Sequence, residues 1–238
     1  MGATTYHANG TLYVRDIAKS SGEAVKDGTG HLVKGVGVSA SADGMHLAYV
    51  SYGAKSGTTI AEKLQVYDAN DLAVSTAATG QAPTDFDGDR FSYPRISPGG
   101  TLIYTTQTGS DPGFRCTVYG VDGTKHLTVN DLIWPAPASW TARGPRLAFG
   151  GGSGSNTLDS LLVWPAGASK PTPTITGLKR PITSLAWTPK ASQIAYAVAK
   201  ASGLQSALWI VNADGSNNHL LLASGSSPAW AVAQVSFP

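Results

Sequence analysis

Hydrophobic residues in this chain fall in short alternating runs, and the same pattern of runs returns at a steady pitch. Ser39-Ala-Ser-Ala-Asp-Gly-Met-His-Leu-Ala-Tyr49 and Arg95-Ile-Ser-Pro-Gly-Gly-Thr-Leu-Ile-Tyr104 each read as a strand, a Gly-rich turn and a second strand ending in an aromatic. Ser139-Trp-Thr-Ala-Arg-Gly-Pro-Arg-Leu-Ala-Phe149 and Ala186-Trp-Thr-Pro-Lys-Ala-Ser-Gln-Ile-Ala-Tyr196 are looser copies. The closing aromatics Tyr49, Tyr104, Phe149 and Tyr196 stand 55, 45 and 47 residues apart. A third run, apolar-x-Val or Ile, recurs as Leu12-Tyr-Val14, Leu64-Gln-Val66, Cys116-Thr-Val118, Leu161-Leu-Val163 and Leu208-Trp-Ile210, at steps of 52, 52, 45 and 47. Alternation with a period of two, bounded by turn residues, predicts strands and excludes a helical solenoid.

A unit of roughly 40–50 residues at this pitch implies a propeller or an array of β units. The third run occurs five times, the first two runs only four times. Their missing partner lies at the other end, in Pro228-Ala-Trp-Ala-Val-Ala-Gln-Val-Ser-Phe237. The reading is therefore an all-β, five-bladed β-propeller of four-stranded antiparallel blades, forming one domain over residues 1–238. Blades are expected near 34–80, 91–130, 135–177 and 181–225. The last is shared by 1–28 and 226–238, which closes the ring and leaves no free end blade.

The repeated phrase resembles the TolB-like propeller repeat, in which Trp or Ser precedes Pro-Asp-Gly and an apolar strand ending in an aromatic. The matching residues are Ser41-Ala-Asp43-Gly44, Ser97-Pro98-Gly99-Gly100 and Trp187-Thr-Pro189. Members of that family usually have six blades, are often extracytoplasmic, and commonly bind proteins or serve beside an enzyme domain. The resemblance implies such a role and compartment here.

Composition narrows the classes. Gly (28) and Pro (14) are abundant, as a chain of short strands and tight turns requires. The net charge of +2, with no basic run longer than Lys179-Arg180, argues against nucleic acid. One cysteine, Cys116, excludes an internal disulfide and a Cys-based zinc site, and reads as a buried strand residue. No segment has transmembrane length. Met1-Gly-Ala-Thr-Thr lacks the charged and apolar regions of a signal peptide, which leaves room for a leader or anchor upstream. A monomer is expected.

Turns between first and second strands are short. Connections from second to third strands (53–62, 108–114, 150–159, 200–206) and between blades (79–92) are long and should emerge on one face, the usual seat of binding on a rigid scaffold. Asp85, Asp87 and Asp89 alternate in one such connection, as carboxylates do in a calcium loop. Arg90 stands where that loop needs Gly, and Ile96 where it needs Glu, so a solvated acidic turn is the plainer reading. The inner strands carry small residues on one side, except Tyr93 and Arg95. An Arg facing a channel needs a carboxylate, a carbonyl or a ligand. Asp87 or Asp89 nearby would serve in a structural ion pair, the plainer reading, and a ligand-facing Arg95 is the sharper one. Tyr93, Arg95, Trp134, Arg90 and Arg180 are the candidates for binding a protein or glycan partner. Trp140, Trp187 and Trp230 share one repeat position, a candidate sugar platform that reads more simply as core.

Catalysis finds little support. A five-bladed hydrolase acting on carbohydrate, the alternative, needs paired carboxylates on inner strands. The inner strands, at 36–41, 92–97, 137–141, 182–187 and 227–232, contain no Asp or Glu. Only two Glu exist: Glu23, beside an outer strand, and Glu62, assigned to a loop. No Gly-x-Ser-x-Gly elbow sits in a strand-to-helix setting. His7, His31, His46, His126 and His219 show no metal-ligand spacing.

Overall fold

The computed structural model describes residues 3–8, 10–16, 21–83, 91–108, 114–132, 137–142, 144–151, 160–199 and 206–225. Every regular element among them is a strand. Chain packing divides the protein into two compact units, Met1–Pro135 and Ala136–Pro238.

The first unit holds three antiparallel sheets. One is three-stranded: β1 (Ala3–Ala8), β2 (Thr11–Asp16) and β3 (Glu23–Ala24). The next contains β4 (Val36–Ala40), β5 (His46–Ser56), β6 (Thr59–Asp68) and β7 (Ala73–Pro83), paired in that order. The third contains β8 (Phe91–Ile96), β9 (Leu102–Thr108), β10 (Phe114–Gly120) and β11 (Lys125–Leu132), likewise in order. Leu12, Val25, Val33, Leu47, Tyr49 and Tyr67 form the core joining the first sheet to the second. Ala48, Val50, Leu64 and Val66 meet Phe91, Ile96, Ile103 and Tyr119 between the second and third.

The second unit repeats the plan twice. β12 (Ala138–Trp140), β13 (Arg146–Gly151), β14 (Ser160–Pro165) and β15 (Thr172–Ile175) form one sheet. β16 (Ile182–Trp187), β17 (Gln193–Ala199), β18 (Ser206–Asn212) and β19 (His219–Gly225) form the other. Ala148, Leu161 and Val163 pack on Ile182, Leu185, Ile194 and Tyr196. Trp187 belongs to this core; its indole donates to Ser139 O at 3.0 Å, and Arg146 lies over its ring at 5.0 Å. The partner strands expected at 226–238 lie outside the described residues.

The repeated phrase now has a physical cause. Ser41, Ser97, Thr141 and Thr188 end the first strand of four sheets. Their amides donate to the carbonyls of His46, Leu102, Arg146 and Gln193 at 2.7–2.9 Å. Their hydroxyls accept the amides of the same four residues at 3.0–3.2 Å. The hydroxyl thus satisfies a donor that the turn would otherwise leave unpaired at the start of the second strand. The fourth turn residue is left-handed in every copy: Gly44 (φ 74°), Gly100 (72°), Gly144 (69°) and Ala191 (55°). Only the last carries a Cβ, and it bears the strain.

Two details differ from the sequence reading. Residues 53–62 are not a loop: β5 and β6 run on as a hairpin with a turn at Gly57-Thr58. β7 extends beside them, so Thr79 to Pro83 is strand as well. The aromatic anchor is also out of step in one sheet. By pairing register Leu47, Ile103, Leu147 and Ile194 are equivalent, so Tyr49, Thr105, Phe149 and Tyr196 are equivalent too. Tyr104 sits one residue earlier and faces the opposite way, because side chains alternate across a strand.

Candidate functional site

The irregular sheet is the one holding Tyr93 and Arg95. Along β8 the burial alternates: Phe91, Pro94 and Ile96 are buried, while Tyr93 (55% exposed) and Arg95 face out. Ser92 pairs with Thr106 and Arg95 with Tyr104, so Tyr93 and Pro94 together oppose only Thr105. The strand therefore bulges. Tyr93 takes a left-handed backbone, φ 53°. At the equivalent slip in β4, between Val36 and Ser39, the left-handed residue is Gly37, φ 64°. A bulky aromatic in this region costs about 1–2 kcal/mol relative to glycine's freedom there.

What holds it lies beneath. The Ser92 carbonyl accepts both the Thr105 and Thr106 hydroxyls, at 3.0 and 3.2 Å. The Phe91 amide donates to Glu62 Oε2 at 3.2 Å, and the Ile96 amide to Ser39 Oγ at 3.2 Å. The Thr117 hydroxyl and the Tyr119 phenol donate to Gln107 Oε1, at 3.2 and 3.5 Å. Thr105, Thr106, Gln107, Thr117 and Glu62 are all buried, Glu62 to 1% exposure. In β17 the residues at the places of Thr105, Thr106 and Gln107 are Tyr196, Ala197 and Val198. Apart from Glu62, which reaches in from β6 of the neighbouring sheet, this buried polar layer belongs to the third sheet, and its hydrogen bonds rigidify what lies above it.

The aromatic volume has moved to match. In the second sheet Tyr49 lies against Gly35, where any added side-chain carbon would collide with the ring. In the third the corresponding pair is Thr105 and Phe91: the small residue has passed to the second strand and the ring to the first. Phe91 meets Tyr119 edge-on, 6.4 Å between centroids. Tyr104, opposite Arg95 in register, is fully buried. Burial pushes its hydroxyl well above the usual tyrosine range, while the Arg95 charge acts in the other direction. Arg95 Nη1 donates to Pro94 O at 3.2 Å.

The hairpin of β5 and β6 emerges at the end of its sheet where β8 begins, since Glu62 on β6 reaches Phe91. Tyr52 (40% exposed) pairs with Glu62 across it. Exposed Lys55 lies nearer the turn. The site presents the Tyr93 ring and the Arg95 guanidinium on a framework of strands, with Tyr52 and Lys55 exposed on the neighbouring hairpin. It is suited to stacking and to binding anions.

Of the residues singled out from sequence, Tyr93 and Arg95 fall together. Arg180 is exposed and belongs to the second unit, just before β16. Arg90, Trp134, Asp85, Asp87 and Asp89 lie outside the described residues, as does the calcium reading that rests on the three aspartates. Among the described residues no group of three His, Cys, Asp or Glu is placed to hold a metal. Cys116 is buried in β10, where burial pushes its thiol up to about 12. Sequence reasoning missed Glu62, taken for a loop residue and in fact buried in β6, together with Thr105, Thr106, Gln107 and Thr117. A signal was present. Thr105-Thr-Gln107 is polar where the other copies read Tyr-Val-Ser, Phe-Gly-Gly and Tyr-Ala-Val.

No protein-family model and no curated protein sequence matches the chain. Solved structures do. TolB from Acinetobacter baumannii aligns with a TM-score of 0.53 at 17% identity, over 91% of this chain and 49% of that one. An oligogalacturonate lyase in complex with manganese aligns at 0.59 and 13%, over 91% and 61%. A prolyl endopeptidase aligns at 0.58 and 11%, over 94% and 36%. The chain thus spans about half the length of the TolB protein it matches. At these identities the likeness is one of fold, shared by enzymes and non-enzymes alike. Repeat, sheet order and structural likeness agree that this chain has the all-β fold of the TolB-like β-propellers.

Proposed function

We propose that this chain is a non-catalytic recognition module that works outside the cytoplasm and binds a protein or glycan partner through the Tyr93–Arg95 end of its sheets. In this reading it is a single five-bladed ring, its last blade shared between 1–28 and 226–238. One observation carries the reading. Tyr93 is held, ring exposed, in a backbone conformation that costs free energy, above a buried polar layer that no other described sheet has. Strain kept at an aromatic that is more than half exposed has little packing to offset it, and binding is a return it can have. The absence of carboxylates from β4, β8, β12 and β16 supports a role without general acid–base chemistry on the inner strands.

The test compares wild type with Tyr93→Gly and Arg95→Gln on an array of glycans and of extracytoplasmic proteins. Tyr93→Gly keeps the left-handed backbone and removes only the ring. A partner bound by wild type and lost by both variants is the expected result. Partners retained by both variants, or turnover of a carbohydrate panel abolished by Arg95→Gln, would overturn the proposal.

A further inference from the structure

Resting on that reading, we infer that the Tyr93–Arg95 shelf takes an acidic sugar, a pyranose ring bearing a carboxylate. Three observations choose this ligand class. Tyr93 and Arg95 are the two exposed residues of β8, with one residue between them on the strand, so a ring lying on the phenol can turn a substituent to the guanidinium. The planar fork of Arg matches a carboxylate through two parallel hydrogen bonds, and its Nη1 bond to Pro94 O limits where the fork can lie.

Second, among the described residues the neighbouring strand leaves room beside the ring. β4 lies next to β8, tied by the bond from Ile96 N to Ser39 Oγ, and at the places of Tyr93 and Arg95 it carries Gly37 and Ser39. Pro94 packs onto Gly37, where an added Cβ would lie 3.2 Å from Pro94 Cδ. The neighbour therefore raises no wall against a flat ligand.

Third, the strand offers an extended peptide little to pair with. Pro94 has no amide hydrogen, and the Phe91 and Ile96 amides already donate to Glu62 and Ser39. Strand addition needs a run of backbone donors and acceptors, whereas a sugar is recognised by ring face and polar substituents alone. Glu62 is 1% exposed and its Oε2 accepts the Phe91 amide, so its carboxyl group is not on the exposed face of the shelf.

The experiment is calorimetric titration of the full chain with trimers of mannuronate, guluronate and galacturonate, each beside its carboxyl-reduced, neutral counterpart. At least one acidic trimer is expected to bind, and its reduced counterpart at least tenfold more weakly. Arg95→Gln should abolish that discrimination, and Tyr93→Gly should weaken binding at least tenfold without lowering the melting temperature. Equal binding of acidic and reduced trimers, discrimination that survives Arg95→Gln, or no binding of any acidic trimer would each overturn the inference. If the acidic trimers fail while a protein partner captured by wild type is lost on Tyr93→Gly, the sugar is wrong and the recognition role stands. If nothing bound depends on Tyr93, both fall.

Discussion

The sheet of β8 to β11 and the sheet of β16 to β19 share a plan and differ inside. Both begin with a slipped pair in the first strand, at Ser92/Arg95 and at Ile182/Ser184. Both turn through a buried or half-buried hydroxyl residue, Ser97 or Thr188, bonded to both backbone groups of the residue five later. Yet β17 fills its interior with Ile194, Tyr196 and Val198, while β9 places Thr105, Thr106 and Gln107 at or beside those positions. The first strand responds. β16 presents Thr183 at its slip, and its hydroxyl faces Ala197 O at 3.4 Å; β8 presents Tyr93, ring outward and strained. The turn chemistry specifies the fold and is common to both sheets. The interior decides what the first strand can display.

Truncation should separate the two most. Tyr196→Ala removes a fully buried ring and its bond to Asn218, and should cost about 3–5 kcal/mol by urea denaturation. At the equivalent place Thr105→Val should cost only about 1 kcal/mol, because Thr106 still donates to Ser92 O. Equal losses at the two sites would erase the contrast. Next in size is Glu62. Glu62→Ala leaves the Phe91 amide without its acceptor in a buried setting and should cost roughly 1–3 kcal/mol, while Glu62→Gln keeps an acceptor oxygen and should lose less.

Smaller and opposite in sign, Ala191→Gly should stabilise the protein by about 0.5–1 kcal/mol, since it gives the fourth turn the glycine that the other three have. The reverse change, Gly144→Ala, should cost about the same. The smallest differential effect concerns pH. Asp122 and Asp214 occupy matching turns, and each carboxylate sits below the usual range chiefly through bonds from Thr124 and from Ser216. A lowered carboxylate value in the folded state adds stability above the unfolded value near 4, lost as pH falls through the folded one. Melting curves from pH 5 to pH 2 should therefore show both Asp→Asn variants less acid-sensitive than wild type, to a similar degree. An effect confined to one of them would show that the turns are not equivalent.

Much of this plan was legible in the chain. Alternation and turn residues marked the strands because a half-buried strand must alternate and a left-handed turn residue favours Gly. The long connection at 53–62 misled for a physical reason: Tyr-Gly-Ala-Lys-Ser-Gly-Thr has loop composition, yet the β5–β6 hairpin is held by backbone pairing and carries Glu62, whose burial no local pattern reveals. The anchor at Tyr104 misled because an aromatic at nearly the right spacing is taken for the repeat position, whereas register is set by pairing and a one-residue shift changes the face. Tyr93 and Arg95 stood out as exceptions to a small inner face. The layer beneath them did not, because threonines in a strand are ordinary until their burial and partners are known.

The most direct test of the account is the melting temperature of Tyr93→Gly beside wild type. If the ring is displayed against its backbone preference, relief of the left-handed strain exceeds the entropy that glycine adds to the unfolded chain by about 1 kcal/mol. The melting temperature should then rise by about 2–4 °C. A fall would mean that the exposed ring stabilises the fold by packing, and that Tyr93 is there for structure and not for a partner.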